Sequence, residues 1–273
     1  MSSLRFVDTH CHLDPGYFGD GPWEAMARAA AEGITGFVVI GVGRGGLRVA
    51  RQDLELVRDP RSQNALRMTA GFHPHDAAEA TSETLAELTQ MALLAEVAAV
   101  GEMGLDYHYD HADRSVQRDV FAAQIAIARA ASKPIVVHSR DARADTLDIL
   151  RAEQASDVGG ILHCFSEDWA FATAAMDMGF YISISGIVTF KNARDIQDVA
   201  ARAPEDRLLL ETDSPYLSPI PLRGKPCEPA YMMHTARKVA ELRGVGLDAL
   251  CGTTTANAER VLRTSFGAFH TSL

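Results

Sequence analysis

Phe6-Val7-Asp8-Thr9-His10-Cys11-His12 reads as a short apolar strand that runs out into two histidines. Successive strand side chains point to opposite faces, so residues two apart share a face. His10 and His12 can therefore aim both imidazoles at one point, and neutral imidazole is a common metal ligand. Cys11 faces the other way. A doubly wound sheet tends to carry a glycine-rich phosphate turn after its first strand; this chain has His10-Cys11-His12-Leu13-Asp14 there. Taken alone, a His-x-His pair is more often two surface or capping histidines, so its meaning depends on the rest of the chain.

Outward from this stretch, short β-type runs alternate with amphipathic segments. Strands are expected over 5–10, 34–42, 67–72, 97–103, 135–138, 160–163, 180–185 and 207–212. Helices are expected over 22–31, 47–57, 82–95, 115–131, 142–152, 168–178, 193–201, 229–242 and 248–262, with Ser82 as a candidate N-cap. Eight strands each followed by a helix are the pattern of a (β/α)8 TIM barrel, an α/β fold. Residues 1–273 are expected to form a single barrel domain with an additional C-terminal helix at about 246–264. The stretch Gly41-Val42-Gly43-Arg44-Gly45-Gly46 does not complete G-x-G-x-x-G and reads as a βα turn. The proline-rich segment 213–228 follows the last strand and suggests a lid or substrate rim.

The 273 residues suffice to bury a large core, and 47% hydrophobic with 23% charged residues is a globular composition. A formal charge of −10 gives no overall attraction to nucleic acid or anionic membranes, so any phosphate-handling site must be local. Cys11, Cys164, Cys227 and Cys251 form no C-x-x-C pair and read as reduced thiols. Neither a leader nor a membrane span is legible. A cytoplasmic monomer is the expectation.

Candidate ligands recur at strand ends. His10 and His12 end the first strand, Glu102 the fourth, His138 the fifth, His163 the sixth and Asp213 the eighth. Barrel active sites sit at the C-terminal face. One such residue could be a cap, but six at the same face favour a metal site. Four imidazoles and two carboxylates exceed the needs of one tetrahedral ion. They suit two divalent ions about 3.5–4 Å apart sharing a carboxylate, a pair that clamps both oxygens of a displacement. Nitrogen-rich ligation favours Zn or Mn over Mg.

The blocks Asp8-Thr9-His10-Cys11-His12-Leu13-Asp14, Gly71-Phe72-His73-Pro74-His75, Gly101-Glu102-Met103-Gly104-Leu105-Asp106-Tyr107, His138-Ser139-Arg140, His163-Cys164-Phe165-Ser166 and Glu211-Thr212-Asp213-Ser214-Pro215-Tyr216-Leu217 resemble, in order, the TatD family of metal-dependent hydrolases, amidohydrolase-like barrels. The resemblance covers about Val7 to Leu262. It implies phosphodiester hydrolysis, with DNA as substrate, often 3′→5′ on single strands. It implies that His10, His12 and Asp213 hold one metal, that His138 and His163 hold the other, and that Glu102 bridges them. Asp213 would double as general base. Mg is commonly invoked for the family.

At the weaker matching positions, His73, Arg140 and Arg223 are candidate substrate contacts; guanidinium groups bind phosphate bidentately. His75 reads as structural or exposed. Tyr107, Phe165 and Tyr216 could stack bases or simply pack. Asn257 reads as a structural hydrogen bonder. Cys227 stands where the family usually has Asn. The negative chain argues against a long duplex footprint, so single-stranded or short ends are the expected DNA substrate. The rival readings are an amidohydrolase-type enzyme acting on a C–N bond or an aminoacyl-tRNA ester, a non-catalytic metal-binding barrel, and a carboxylate-pair glycosidase. Relatives that bridge their metals with a carboxylated lysine do so at the fourth strand, where this chain has Glu102.

Overall fold

The computed structural model describes residues 4–14 and 16–270. Strands and helices alternate as β1 (Phe6–Cys11), α1 (Pro22–Ala31), β2 (Ile34–Gly41), α2 (Arg48–Arg58), β3 (Leu66–Ala70), α3 (Ser82–Met91), β4 (Val97–Asp106), α4 (Arg114–Ala130), β5 (Ile135–Arg140), α5 (Arg143–Ala152), β6 (Gly160–Leu162), α6 (Trp169–Asp177), β7 (Phe180–Ile184), α7 (Arg194–Arg202), β8 (Leu208–Leu210), α8 (Met232–Arg243) and α9 (Leu247–Leu262). Each strand pairs in parallel with the next, from β1 through β8. Helices cover the sheet's outer side, which is why the strands read as near-continuous apolar runs. β1, β2 and β4 are buried along their whole length. The chain is therefore a (β/α)8 TIM barrel.

The joint between β8 and β1 is the part that matters for the site. Asp213 N donates to His10 O (2.9 Å) and His12 N donates to Ser214 O (2.8 Å). Deeper, the wholly buried Asp8 carboxylate accepts from Thr212 N (2.9 Å), Thr212 Oγ1 (2.5 Å) and His10 N (3.3 Å). Thr212 is thus held by a side chain rather than by the ladder, and β8 stops at Leu210 instead of the expected 212. The closure draws Asp213 up to His10 of β1 and to His12 just beyond it.

β4 departs from expectation in the other direction. It runs to Asp106, three residues past the expected end, so Glu102 lies inside the strand and not at its tip. Two glycines let β5 come close. A Cβ on Gly101 would meet Val136 O at 2.5 Å, and one on Gly104 would meet His138 O at 2.0 Å. Both glycines have φ near +140° (139° and 136°), a conformation that L side chains rarely adopt. The close β4–β5 approach brings His138 alongside Glu102.

Two local expectations are corrected. The N-cap of α3 is Thr81, not Ser82. Thr81 Oγ1 accepts from Thr84 N (3.3 Å) while Thr84 Oγ1 accepts from Thr81 N (2.9 Å), a reciprocal capping box. In the glycine-rich turn after β2, the amides of Gly45 and Gly46 donate to Glu79 Oε2. A carboxylate of the protein fills the place a phosphate loop would reserve for its ligand.

Candidate metal centre

The strand ends converge on Glu102, whose side chain is almost entirely buried. Glu102 Oε1 lies 2.6 Å from His163 Nε2, 3.1 Å from His138 Nδ1 and 3.3 Å from His73 Nε2. Its Oε2 lies 3.4 Å from His10 Nε2. Asp213 Oδ1 stands 3.6 Å from His10 Nε2 and 3.8 Å from His12 Nε2. The rings of His10 and His163 stack with centroids 3.8 Å apart. The structure thus brings His10, His12, Glu102, His138, His163 and Asp213 into one cluster, with Glu102 at its centre. Three triplets have donor atoms within 4.8 Å of one another: His10, His12 and Glu102; His10, His163 and Glu211; His73, Glu102 and His138. Asp213 stands just outside these triplets, beside the first. His73 and Glu211 enter them although neither was read from the sequence as a ligand.

A metal fits this donor set. His10 is completely buried, yet neither ring nitrogen has a hydrogen-bond partner. Such a group normally loses one to several kcal/mol on burial. A cation that accepts an imidazole lone pair removes the deficit. His163 Nδ1 and Glu211 Oε2 are similarly unpartnered, His163 Nδ1 lying 3.5 Å from Glu211 Oε1. Burial pushes the conjugate acids of His12 and His73 down to about 3 and about 4, so both rings are neutral and their lone pairs free near pH 7. Burial would lift Glu102 as well, but His163, His73, His10 and His138 outweigh it and hold the carboxylate well below its ordinary range. Burial pushes Asp213 up to about 6, against the opposing pull of His10 and His163.

Around the cluster, a ring of side chains fixes its orientation. Asp106 Oδ2 lies 2.8 Å from His75 Nε2 and 3.3 Å from His138 Nε2. Asp106 is therefore the residue that turns His138 Nδ1 toward Glu102. Two buried glutamines of α4 brace the strand ends. Gln117 Oε1 accepts from Asp106 N and its Nε2 donates to Asp106 O. Gln124 Oε1 accepts from Phe72 N and its Nε2 donates to Phe72 O, next to His73. Glu211 accepts from Cys164 N (2.6 Å) and holds the turn that carries His163. Supports of this kind set ligand orientation and basicity.

A family model described as "TatD related DNase" matches residues 7–263. An uncharacterized metal-dependent hydrolase of Bacillus subtilis, YabD, is 40% identical over 256 residues, covering 94% of this chain and 98% of its own. The chain belongs to the TatD family. It is a metal-dependent hydrolase of that family, and its cluster supplies candidate His and Glu ligands. A more distant TatD relative, from Escherichia fergusonii, is 31% identical over 265 residues, covering 95% of this chain and 99% of its own; that protein is named a 3′-5′ ssDNA/RNA exonuclease. The crystal structure of the TatD homologue YjjV of Escherichia coli K12 matches with a TM-score of 0.85 at 28% identity. It covers 96% of this chain and 99% of its own.

The weaker sequence matches to TatD divide. Arg140 and Arg223 are exposed and lie over aromatic rings, Arg140 over Tyr109 (4.8 Å) and Arg223 over Phe190 (4.1 Å). The acid next to Arg140, Asp141, stands beside His108 (3.3 Å). Tyr107 donates to Asp145 and has Arg114 over its ring, so its face is taken. Phe165 is buried against Phe171 and packs in the core. Tyr216 stays half exposed, edge-on to His12. His75, expected to be structural or exposed, is partly buried and tied to Asp106. The four cysteines are free, and burial pushes the Cys11 and Cys164 thiols well up, away from the thiolate a metal requires. Cys227 is buried, with its backbone N donating to Pro215 O. Asn257 Nδ2 donates to Glu205 O and Leu208 O, tying α9 to the base of β8. Among the described residues no helix is long and apolar enough to cross a membrane.

Proposed function

We propose that this TatD-family hydrolase cleaves phosphodiester bonds in single-stranded or short DNA, working from the 3′ end, at a centre for two divalent ions. The observation that carries the reading is Glu102, a buried carboxylate with four imidazoles within 3.4 Å of its two oxygens. His10, His12 and Asp213 would hold one ion and His138 and His163 the other, with Glu102 between them. Zn, Mn or Mg bound there would supply Lewis acidity and positive charge to the displacement at phosphorus. The protein's own residues do the rest. Asp213 takes the proton of the attacking water on its carboxylate. Glu102 is held ionised and fixes the spacing of the imidazoles. Asp106 orients His138. His73, which touches Glu102, and the exposed Arg140 and Arg223 are the proposed contacts to substrate phosphates. The name of the Escherichia fergusonii relative supports both polymer and polarity.

The test is a single-stranded oligonucleotide labelled at its 5′ end, incubated with protein loaded with Zn, Mn or Mg in turn. A ladder that shortens from the 3′ end is expected, with intact supercoiled plasmid cut far more slowly. Turnover confined to aminoacyl-tRNA or cyclic amides would overturn the proposal, as would equal cleavage of the plasmid.

A further inference from the structure

α2 presents a buried stripe of three residues, Ala50, Asp53 and Val57, and Asp53 takes an apolar position on it. Only 7% of Asp53 is exposed, and no described residue forms a hydrogen bond or ion pair with its carboxyl group. A helix that buries an unpartnered carboxyl costs itself stability, and such a group calls for an explanation. Asp53 lines a cavity of about 530 Å3 that also reaches His12 and Tyr216. His12 belongs to the metal-ligand cluster, so the cavity is continuous with it. Ile40, Val42 and Val49 give the cavity an apolar wall; Asp14, His75, Asp76 and His111 line it too, all less buried than Asp53, and Arg44 and Arg48, both exposed and free of ion pairs, stand at its edge. At the lip, Tyr216 and Tyr17 place their hydroxyls 3.2 Å apart and their rings at 67° to each other.

We propose that this cavity seats the base of the terminal nucleotide, and that Asp53 is the specificity residue that accepts a hydrogen bond from the base's exocyclic amine. The proposal rests on the phosphodiester reading above. An apolar wall with a few polar groups is the usual design of a small-molecule site, and Asp53 is the most deeply buried charged group here. The wall and Tyr216 offer a stacking surface, and the arginines bring positive charge toward the adjoining phosphate. Burial, with Asp14 nearby, pushes Asp53 up to about 7; both its forms keep an oxygen that accepts, and the ionised form, dominant above that value, offers thymine no donor. Adenine, cytosine and guanine each carry an exocyclic amine; thymine carries none. A pocket whose buried acceptor is left unpaired by thymine should disfavour it.

The experiment uses metal-loaded full-length protein and four single-stranded oligonucleotides that differ only in the 3′-terminal base. Binding of the four free deoxynucleosides is followed in parallel by NMR titration. Wild-type kcat/KM is expected to favour amine-bearing ends over thymine by on the order of tenfold. Asp53→Leu should bring that ratio close to one and weaken deoxyadenosine, deoxycytidine and deoxyguanosine more than thymidine. Asp53→Asn, nearly isosteric, keeps the test valid if the leucine variant folds poorly: its amide keeps an accepting oxygen but adds an N–H that can pair with a thymine carbonyl, so it should blunt the ratio. Oligonucleotide hydrolysis with no base preference, or a preference unchanged in both variants, overturns the pocket and leaves the phosphodiester reading standing. If no oligonucleotide is hydrolysed, the phosphodiester reading fails by itself and nucleoside binding decides. Amine-dependent binding lost in the Asp53 variants upholds the base pocket; no nucleoside binding overturns it.

Discussion

Glu102 and Asp53 are both buried carboxyls near the C-terminal face of one barrel, and their surroundings drive them in opposite directions. Glu102 is 3% exposed, Asp53 7%. Burial alone would lift both toward the neutral form. Around Glu102 the imidazoles of His163, His73, His10 and His138 more than offset it, and the carboxylate stays charged. Around Asp53 nothing opposes burial, and the nearby Asp14 adds to it, so the group rises to about 7. Depth does not set the charge of a buried acid; the partners delivered by other strands do. The first environment gathers candidate metal ligands around a charged carboxylate. The second leaves a buried acceptor without a partner, facing a cavity.

The comparison breaks most sharply at Glu102. Glu102→Gln removes the charge that organises the imidazoles, and both bound metal and turnover should fall. The loss in kcat/KM should exceed the roughly 10²–10⁴-fold of a single general base. Metal analysis of the purified variant beside oligonucleotide hydrolysis checks it; full metal content with wild-type turnover would refute the assigned role. Asp213→Asn should cost about 10²–10⁴-fold in kcat, with a melting temperature close to wild type. A variant that keeps its turnover removes Asp213 from the chemistry. Asp106→Asn acts one step further out. It loosens His138 and His75, and a drop of about 10–100-fold in metal affinity or activity is expected. Because Asp106 is a positioning residue, saturating metal should restore most of its lost rate, whereas Asp213→Asn, which removes the proton acceptor as well as a proposed ligand, should stay deficient at saturating metal.

Why some of these residues were legible in the sequence and others not is a question of what fixes their direction. The barrel was legible because buried parallel strands read as apolar runs and the helices between them are amphipathic. His10, His12, Glu102, His138, His163 and Asp213 stood out because each is polar at or near the end of such a run. Asp106 did not, because β4 was expected to stop at 103. On a strand that reaches 106, residues 102, 104 and 106 share one face, with Gly104 between the two carboxylates, and that parity was the available signal. His73 and Glu211 owe their roles to partners on β4 and β6, a long-range contact that no local pattern encodes. Asp53 was readable in principle. It lies three residues after Ala50 and four before Val57, a charged residue on the core stripe of α2.

The last expected effect isolates Asp53 without any substrate and leaves turnover out of account. Its ordinary value is 3.8 and its folded value about 7, so the folded protein binds the proton more tightly than the unfolded chain does. The stability this contributes is fully present below about pH 4 and is lost as pH rises toward 7. Asn cannot ionise, so Asp53→Asn escapes the loss. The variant's melting temperature should rise relative to wild type between pH 4 and 7, by an amount on the order of 4 kcal/mol, or about 7 °C for a chain of this length. Above pH 7 the gap should level off. Asp8, which burial lifts to about 8, is present in both proteins and cancels from the difference. A gap that stays constant or shrinks across this range would mean that Asp53 finds a partner in solution, and the contrast with Glu102 would disappear.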